Sequence, residues 1–137
     1  PRCTARASPH ACPSGAPLAD SAAMGKKEYP PWESAPAGSA AAGEKLFKGK
    51  CAACHTTLEA QGGKSGPGLG GIIGADAGKR AGFKYTPAFT AASFTWTDKA
   101  MYEYLKNPKT YIKTNMAFPG FKKPEDNANV VAYLCSL

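Results

Sequence analysis

The sequence predicts a small all-α domain over residues 43–137, preceded by an irregular arm over residues 1–42. Three observations carry this reading. Apolar residues recur at helical spacing in separate stretches after Gly43, and none alternates with the two-residue period of a strand. The arm is rich in Ala, Pro, Ser and Gly and holds no sustained period. The motif Cys51-Ala52-Ala53-Cys54-His55 closes the first helical stretch, and C-x-x-C-H is the covalent attachment pattern of c-type haem. On a helical turn the two thiols reach the two vinyl groups on one porphyrin edge, and the next residue points its imidazole at the iron. The expected architecture is therefore a set of helices wrapped around one covalently bound haem.

In the arm, Pro9, Pro13, Pro17, Pro30, Pro31 and Pro36 interrupt any long helix. Arg2 and Arg6, with no acid before Asp20, hint at the tail of an organelle-targeting peptide, although the prolines argue against an amphipathic helix there. A chain that starts at Pro1 suggests that a segment upstream is removed. Tyr29-Pro30-Pro31-Trp32 favours an extended, polyproline-like turn with two aromatic rings to dock, on the folded domain or on a partner.

From Gly43 the elements follow in order. Residues 44–54 read as a helix with Gly43, Phe47 and Cys51 on one face. Residues 62–74 are a Gly-rich loop around Pro67, suited to close approach of backbone to a flat ligand. Thr97 is an N-cap for a helix through Leu105, with Met101 and Leu105 inward, and Asn107-Pro108 ends it. Pro124 suits a first helical position, and Glu125 and Asp126 suit the positive helix start. Val130, Tyr133, Leu134 and Leu137 then form an apolar stripe at i, i+3, i+4 and i+7.

The 137 residues suffice for one domain. Hydrophobic residues make up 43%, modest for a single core, and a buried haem would supply apolar volume. No apolar run approaches a transmembrane length, so a soluble product is expected. The net charge is +7, of which +1 falls in residues 1–42 and +6 in residues 43–137. That balance suits an acidic partner surface or anionic lipid. Nucleic acid is not indicated, because no zinc-finger spacing, RNP-type motif or base-reading basic helix is present. Of five cysteines, Cys3, Cys12 and Cys135 fall outside the motif. Cys3 and Cys12 could pair or stay as thiols, and Cys135 reads as packing in an apolar helix.

C-x-x-C also serves zinc and dithiol redox chemistry. A tetrahedral zinc site needs a second ligand pair, and no second C-x-x-C exists. A thioredoxin-like site needs a βαβ context, which the Gly-rich, helical surroundings do not supply. For the iron, His55 offers one axial ligand. His10 and Met24 lie in the arm, and Met101 sits on a helix face as core. Met116 lies in an irregular segment between two helices, well placed to offer a thioether. A His/Met pair fills both axial positions and raises the reduction potential. Such an iron has no open position for substrate, which points to electron transfer.

With these residues in view, the chain from about Gly43 to Leu134 resembles mitochondrial-type (class I) cytochrome c. The likeness rests on Cys51-Ala52-Ala53-Cys54-His55-Thr56, Gly66-Pro67, Ala81-Gly82-Phe83-Lys84-Tyr85-Thr86, Phe94-Thr95-Trp96, Tyr102-Glu103-Tyr104-Leu105-Lys106-Asn107-Pro108, Met116-Ala117-Phe118 and Val131-Ala132-Tyr133-Leu134. The resemblance implies a soluble, monomeric electron carrier in the mitochondrial intermembrane space. It implies haem c on Cys51 and Cys54, His55 and Met116 as iron ligands, and electron shuttling from the cytochrome bc1 complex to cytochrome c oxidase. A periplasmic carrier of the same superfamily is an alternative, and so is a peroxidase-like enzyme with a labile Met116. The resemblance also implies that Pro67 accepts a hydrogen bond from His55, and that Tyr85, Trp96 and Thr114 serve a haem propionate. Tyr104 is expected beside the Met116 sulfur, Phe118 over the haem, and Gly43 and Phe47 against Val130 and Tyr133. Lys50, Lys64, Lys109, Lys122 and Lys123 match positions that ring the haem edge and meet acidic partners, with anionic lipid as a second partner.

The chain departs from the family's pattern in places. Its arm is far longer than usual, and Tyr29 to Trp32 is expected to tether the carrier near a respiratory partner. Ala75 stands where an Arg commonly assists the propionates, Gly68 where an Asn follows Gly-Pro, and Phe89 where an internal Asn is usual. The loop before Met116 is one residue short and lacks its usual Pro-Gly, and no Lys-rich tail follows Leu134.

Overall fold

The computed structural model describes residues 29–58 and 64–137. The expectations on Arg2, Cys3, Arg6, His10, Cys12, Met24 and Gly62 lie outside the described residues. Among the described residues five helices run in the order α1 (Ala40–Lys50), α2 (Pro87–Thr90), α3 (Asp98–Lys106), α4 (Pro108–Tyr111) and α5 (Pro124–Ser136), with a 3-10 turn at Trp32–Ser34 ahead of them. Among the described residues the only β pairing is an isolated bridge between Asp76 and Thr95. The all-α expectation therefore holds. None of the described helices is long and apolar enough to cross a membrane.

The core is built where α1 crosses α5. Gly43 and Phe47 are the buried positions of α1, and Asn127, Ala128, Val130, Val131 and Leu134 those of α5. A Cβ built on Gly43 would lie 1.9 Å from the Asn129 carbonyl oxygen, so the bare backbone lets the helices touch. One turn on, the Phe47 and Tyr133 rings pack at 5.4 Å. α3 lies on α5 as well and buries Met101, Tyr102, Tyr104 and Leu105. Covering α5 from two sides explains why its buried set is wider than the expected stripe. Asn127 goes under α3 and the arm and Val131 is 1% exposed, while Leu137 stays 38% exposed.

Local chemistry sets the helix ends. α1 starts at Ala40, because the Ser39 side chain accepts from the Ala42 amide and three alanines follow at once. The expected arm boundary at residue 42 therefore falls inside α1. The helix stops at Lys50, before the expected end at Cys54. There Cys51 and Ala52 both donate to the Phe47 carbonyl, and His55 donates to the Cys51 carbonyl at 2.9 Å. The motif thus winds as a turn on the helix end. α3 begins after Thr97 as expected, with its side chain capping Ala100. Asn107-Pro108 both ends α3 and starts α4, with Asn107 as cap and Pro108 at the first turn. α2 uses the same device through Thr86 and Pro87. Such four-residue helices carry too little periodicity to be read from apolar spacing.

Residues 29–39 are part of the packed body. The Tyr29 and Trp32 rings lie 5.7 and 5.3 Å from the Tyr102 ring. The Tyr102 hydroxyl donates to the Pro30 carbonyl, Lys106 sits over the Tyr29 ring, and Lys99 pairs with Glu33. Asn127, fully buried, donates to the Tyr29 hydroxyl at 2.7 Å and to the Tyr102 carbonyl at 2.8 Å. The two aromatics expected to tether a partner are spent on α3 of their own chain. Tyr29→Phe should therefore lower stability by about 1 kcal/mol, the net worth of one buried hydrogen bond. Urea unfolding followed by far-ultraviolet circular dichroism reads this directly, and an unchanged midpoint would refute it. Cys135 is half-buried against the core on α5, and it is disulfide-bonded.

Candidate functional site

The two motif cysteines are free thiols, with Cys51 half-buried and Cys54 exposed. Burial pushes the Cys51 thiol up to about 11. A neutral, apolar-seated thiol lacks the lowered pKa of a dithiol redox site. Among the described residues no three His, Cys, Asp or Glu side chains cluster as a metal site.

His55 follows on the same turn, half-buried. Its Nδ1 lies 2.8 Å from the Pro67 carbonyl oxygen. A carbonyl only accepts, so Nδ1 carries the proton and Nε2 keeps its lone pair. Burial, with the Lys64 charge, holds the ring below the usual imidazole range despite the bond to Pro67, so the neutral form prevails at neutral pH. The buried Gly66 makes room for the ring. A Cβ there would sit 2.4 Å from His55 Cε1, and the Gly66 amide donates to the Cys54 carbonyl at 2.7 Å. Sequence reading placed these glycines in a loop suited to close approach of backbone to a flat ligand and singled out Gly66-Pro67, but it did not foresee that the Gly66 backbone packs on the His55 ring itself. Lys64 donates to the Ala52 carbonyl and so sits on the motif turn itself.

The second group of residues forms around Met116. Its amide donates to Thr114 Oγ1 at 3.1 Å, and its sulfur lies 3.8 Å from the Tyr104 hydroxyl. Burial raises the Tyr104 pKa, against a lowering by a side-chain hydrogen bond with Thr114. Met101 is 4% exposed inside α3, which leaves Met116 as the half-buried methionine on a loop among the described residues. Phe118 pairs edge-on with Phe121 at 5.0 Å.

Aromatic rings join this group to the loop after α1. Trp96, 5% exposed, lies 5.0 Å from Tyr104. Phe89 packs against Tyr85, Trp96 and Tyr104. The position where an amide was usual is thus a dry aromatic contact. Tyr85 and Thr114, distant in sequence and both expected at a propionate, line one surface cleft of about 690 Å3 together with Lys84, Lys109 and Lys113, while Trp96 is not part of its lining. Lys50, Lys122 and Lys123 are exposed.

These residues fit a covalent haem. Two free thiols stand at the attachment spacing. A neutral imidazole presents Nε2, and a thioether sits on a loop that a phenol and a hydroxyl hold in place. Cys51, Leu69, Tyr85, Met116 and Phe118 pack on the core yet stay only half-covered, leaving apolar surface for a flat cofactor to complete.

Comparisons with known proteins agree. The family model described as cytochrome c matches residues 40–137. The chain is 52% identical over 101 residues to cytochrome c of Chlamydomonas reinhardtii, covering 73% of this chain and 90% of that protein. To cytochrome c of Nigella damascena it is 48% identical over 104 residues, covering 75% and 94%. Among solved structures, cytochrome cH from Methylobacterium extorquens superposes with a TM-score of 0.66 at 35% identity, covering 73% of this chain and all of that one.

Proposed function

Because this chain belongs to the cytochrome c family, we propose that it carries single electrons from the cytochrome bc1 complex to cytochrome c oxidase, with His55 and Met116 as the iron ligands. It is a haem-based electron carrier and not an enzyme, and its cofactor is one covalently attached haem c at Cys51 and Cys54. The haem supplies a one-electron Fe(III)/Fe(II) couple when bound.

The chain's own residues do the rest. The observation that carries the reading is His55, fixed as the Nε2 donor by Pro67 directly after two free thiols. The Pro67 bond orients the ring and tunes its basicity. Tyr104 and Thr114 hold the Met116 loop so that the sulfur faces inward. When haem is bound, Tyr85 and Trp96 would serve as donors to a propionate, Thr114 would stand by at the cleft it shares with Tyr85, and Phe118 would give the haem apolar cover. Phe89, packed among three aromatic rings, keeps water from the sulfur side.

Lys50, Lys64, Lys109, Lys122 and Lys123 form the docking face. Any one exposed lysine gains little from one pair. As a set they steer a carboxylate-rich partner and speed encounter, and salt screens that steering. Anionic lipid meets the same face. The protein acts as a monomer in the mitochondrial intermembrane space. Turnover with bc1 complex and oxidase tests this. The second-order rate should fall about tenfold or more between low and physiological ionic strength, in line with steered association. A rate that ignores salt removes the steering, and no turnover at all removes the partners.

A further inference from the structure

We propose that residues 29–35 act as a strap that seats α3 and through it positions the Met116 loop, which makes Tyr29, Trp32 and Asn127 positioning residues for the sulfur. The inference rests on the reading of Met116 as an iron ligand given above. α3 meets the strap on one side and the Met116 loop on the other. Lys99, Tyr102 and Lys106, spaced i, i+3 and i+7, share one face of the helix. All three touch the strap. Lys99 pairs with Glu33, the Tyr29 and Trp32 rings lie against the Tyr102 ring, and Lys106 stands 5.0 Å over the Tyr29 ring. Tyr104 is two residues on from Tyr102, and so roughly 160° round the helix axis. From that opposite face its hydroxyl meets the Met116 sulfur at 3.8 Å.

The loop that carries Met116 hangs on α3 at both ends. It leaves through α4, whose cap Asn107 directly follows Lys106. It returns where the Phe121 amide donates to the Leu105 carbonyl at 2.8 Å. Gly120 permits this return, because its φ is 103° and a side chain there would strike the Lys106 carbonyl. A shift of α3 therefore moves both loop anchors and the Tyr104 hydroxyl together. The ties that prevent such a shift differ in weight. The Lys99–Glu33 pair is exposed and counts for little. Asn127 counts for more. It lies fully buried on α5 and donates to the Tyr29 hydroxyl and the Tyr102 carbonyl, which joins strap, α3 and α5 at one point. Ala35, 2% exposed, closes the strap on the core.

Imidazole added to the ferric protein competes with Met116 for the iron, so its apparent affinity reports the fraction of molecules in which the sulfur has let go. The test uses the full-length, haem-loaded protein, and the far-red sulfur–iron band is recorded first. Trp32→Ala should bind imidazole about fivefold tighter than the native protein, or more. Trp32→Phe, which keeps a ring on Tyr102, should stay near the native affinity. Tyr133→Leu loosens the α1–α5 crossing at Phe47 instead. It should lower the guanidinium midpoint and leave the imidazole affinity near native. Native affinity in Trp32→Ala, or a rise in Tyr133→Leu as large as that in Trp32→Ala, overturns the proposal. If Trp32→Ala does not hold haem, Asn127→Leu decides by the same measure: tighter imidazole binding supports the strap, and native affinity overturns it. A native protein that lacks the far-red band overturns the Met116 reading and the strap with it. A native protein that has the band, with strap variants that do not respond, overturns the strap alone.

Discussion

Met116→Ala should convert this carrier into a protein with an open iron site. On the proposed ligation the Met116 thioether is the soft ligand that raises the haem potential, and axial ligation sets such potentials over about 0.8 V. Its loss should lower the potential by a few tenths of a volt, on the order of a third of that range. The far-red sulfur–iron band should vanish, and the reduced protein should bind carbon monoxide. The structure supports a local effect. Met116 sits on a loop tied by its amide to Thr114, and its sulfur meets the Tyr104 hydroxyl. α1, α3 and α5 should therefore keep their packing. Any peroxidase-like activity should appear in this variant. A Met116→Ala protein that retains the band and refuses carbon monoxide would mean that another group ligates the iron.

Gly43→Val should be the most damaging single change to the fold. A Cβ at position 43 meets the Asn129 carbonyl oxygen at 1.9 Å and carbon at 2.6 Å. These are backbone atoms of α5, which cannot swing away as a side-chain tip could. The helices must separate, and that also uncovers Phe47 and Val130, now 2% and 1% exposed. Ordinary overpacking costs about 1–3 kcal/mol, and the backbone clash puts this site at about 3 kcal/mol or more. Haem is attached next to this crossing, so covalent haem yield should drop as well. Guanidinium unfolding of the haem protein measures the loss, and a midpoint within error of the native one would contradict the crossing.

How much of this was legible in the residues depends on the range of the signal. Thr97, Pro124 and the apolar positions Met101, Leu105, Val130 and Leu134 act within one helix, and spacing reveals them. Cys51, Cys54 and His55 are contiguous, and their chemistry shows in the motif. The Gly43–Asn129 and His55–Gly66 approaches are tertiary, and a glycine alone does not say what comes close. The same holds for Asn127. A polar residue next to two acids reads as helix surface, yet it is fully buried because Tyr29 and Tyr102 satisfy its amide nitrogen. Proline counting treated the arm as loose through residue 42, but Ser39 caps α1, and Tyr29 and Trp32 find apolar cover on Tyr102.

A pyridine haemochrome spectrum of the purified chain, taken before and after extraction with acidified organic solvent, tests the central claim most directly. The account predicts the spectrum of a haem with both vinyls saturated, and pigment that stays with the polypeptide through extraction. Pigment that moves into the solvent, or a spectrum showing intact vinyl groups, would contradict a haem bound through Cys51 and Cys54.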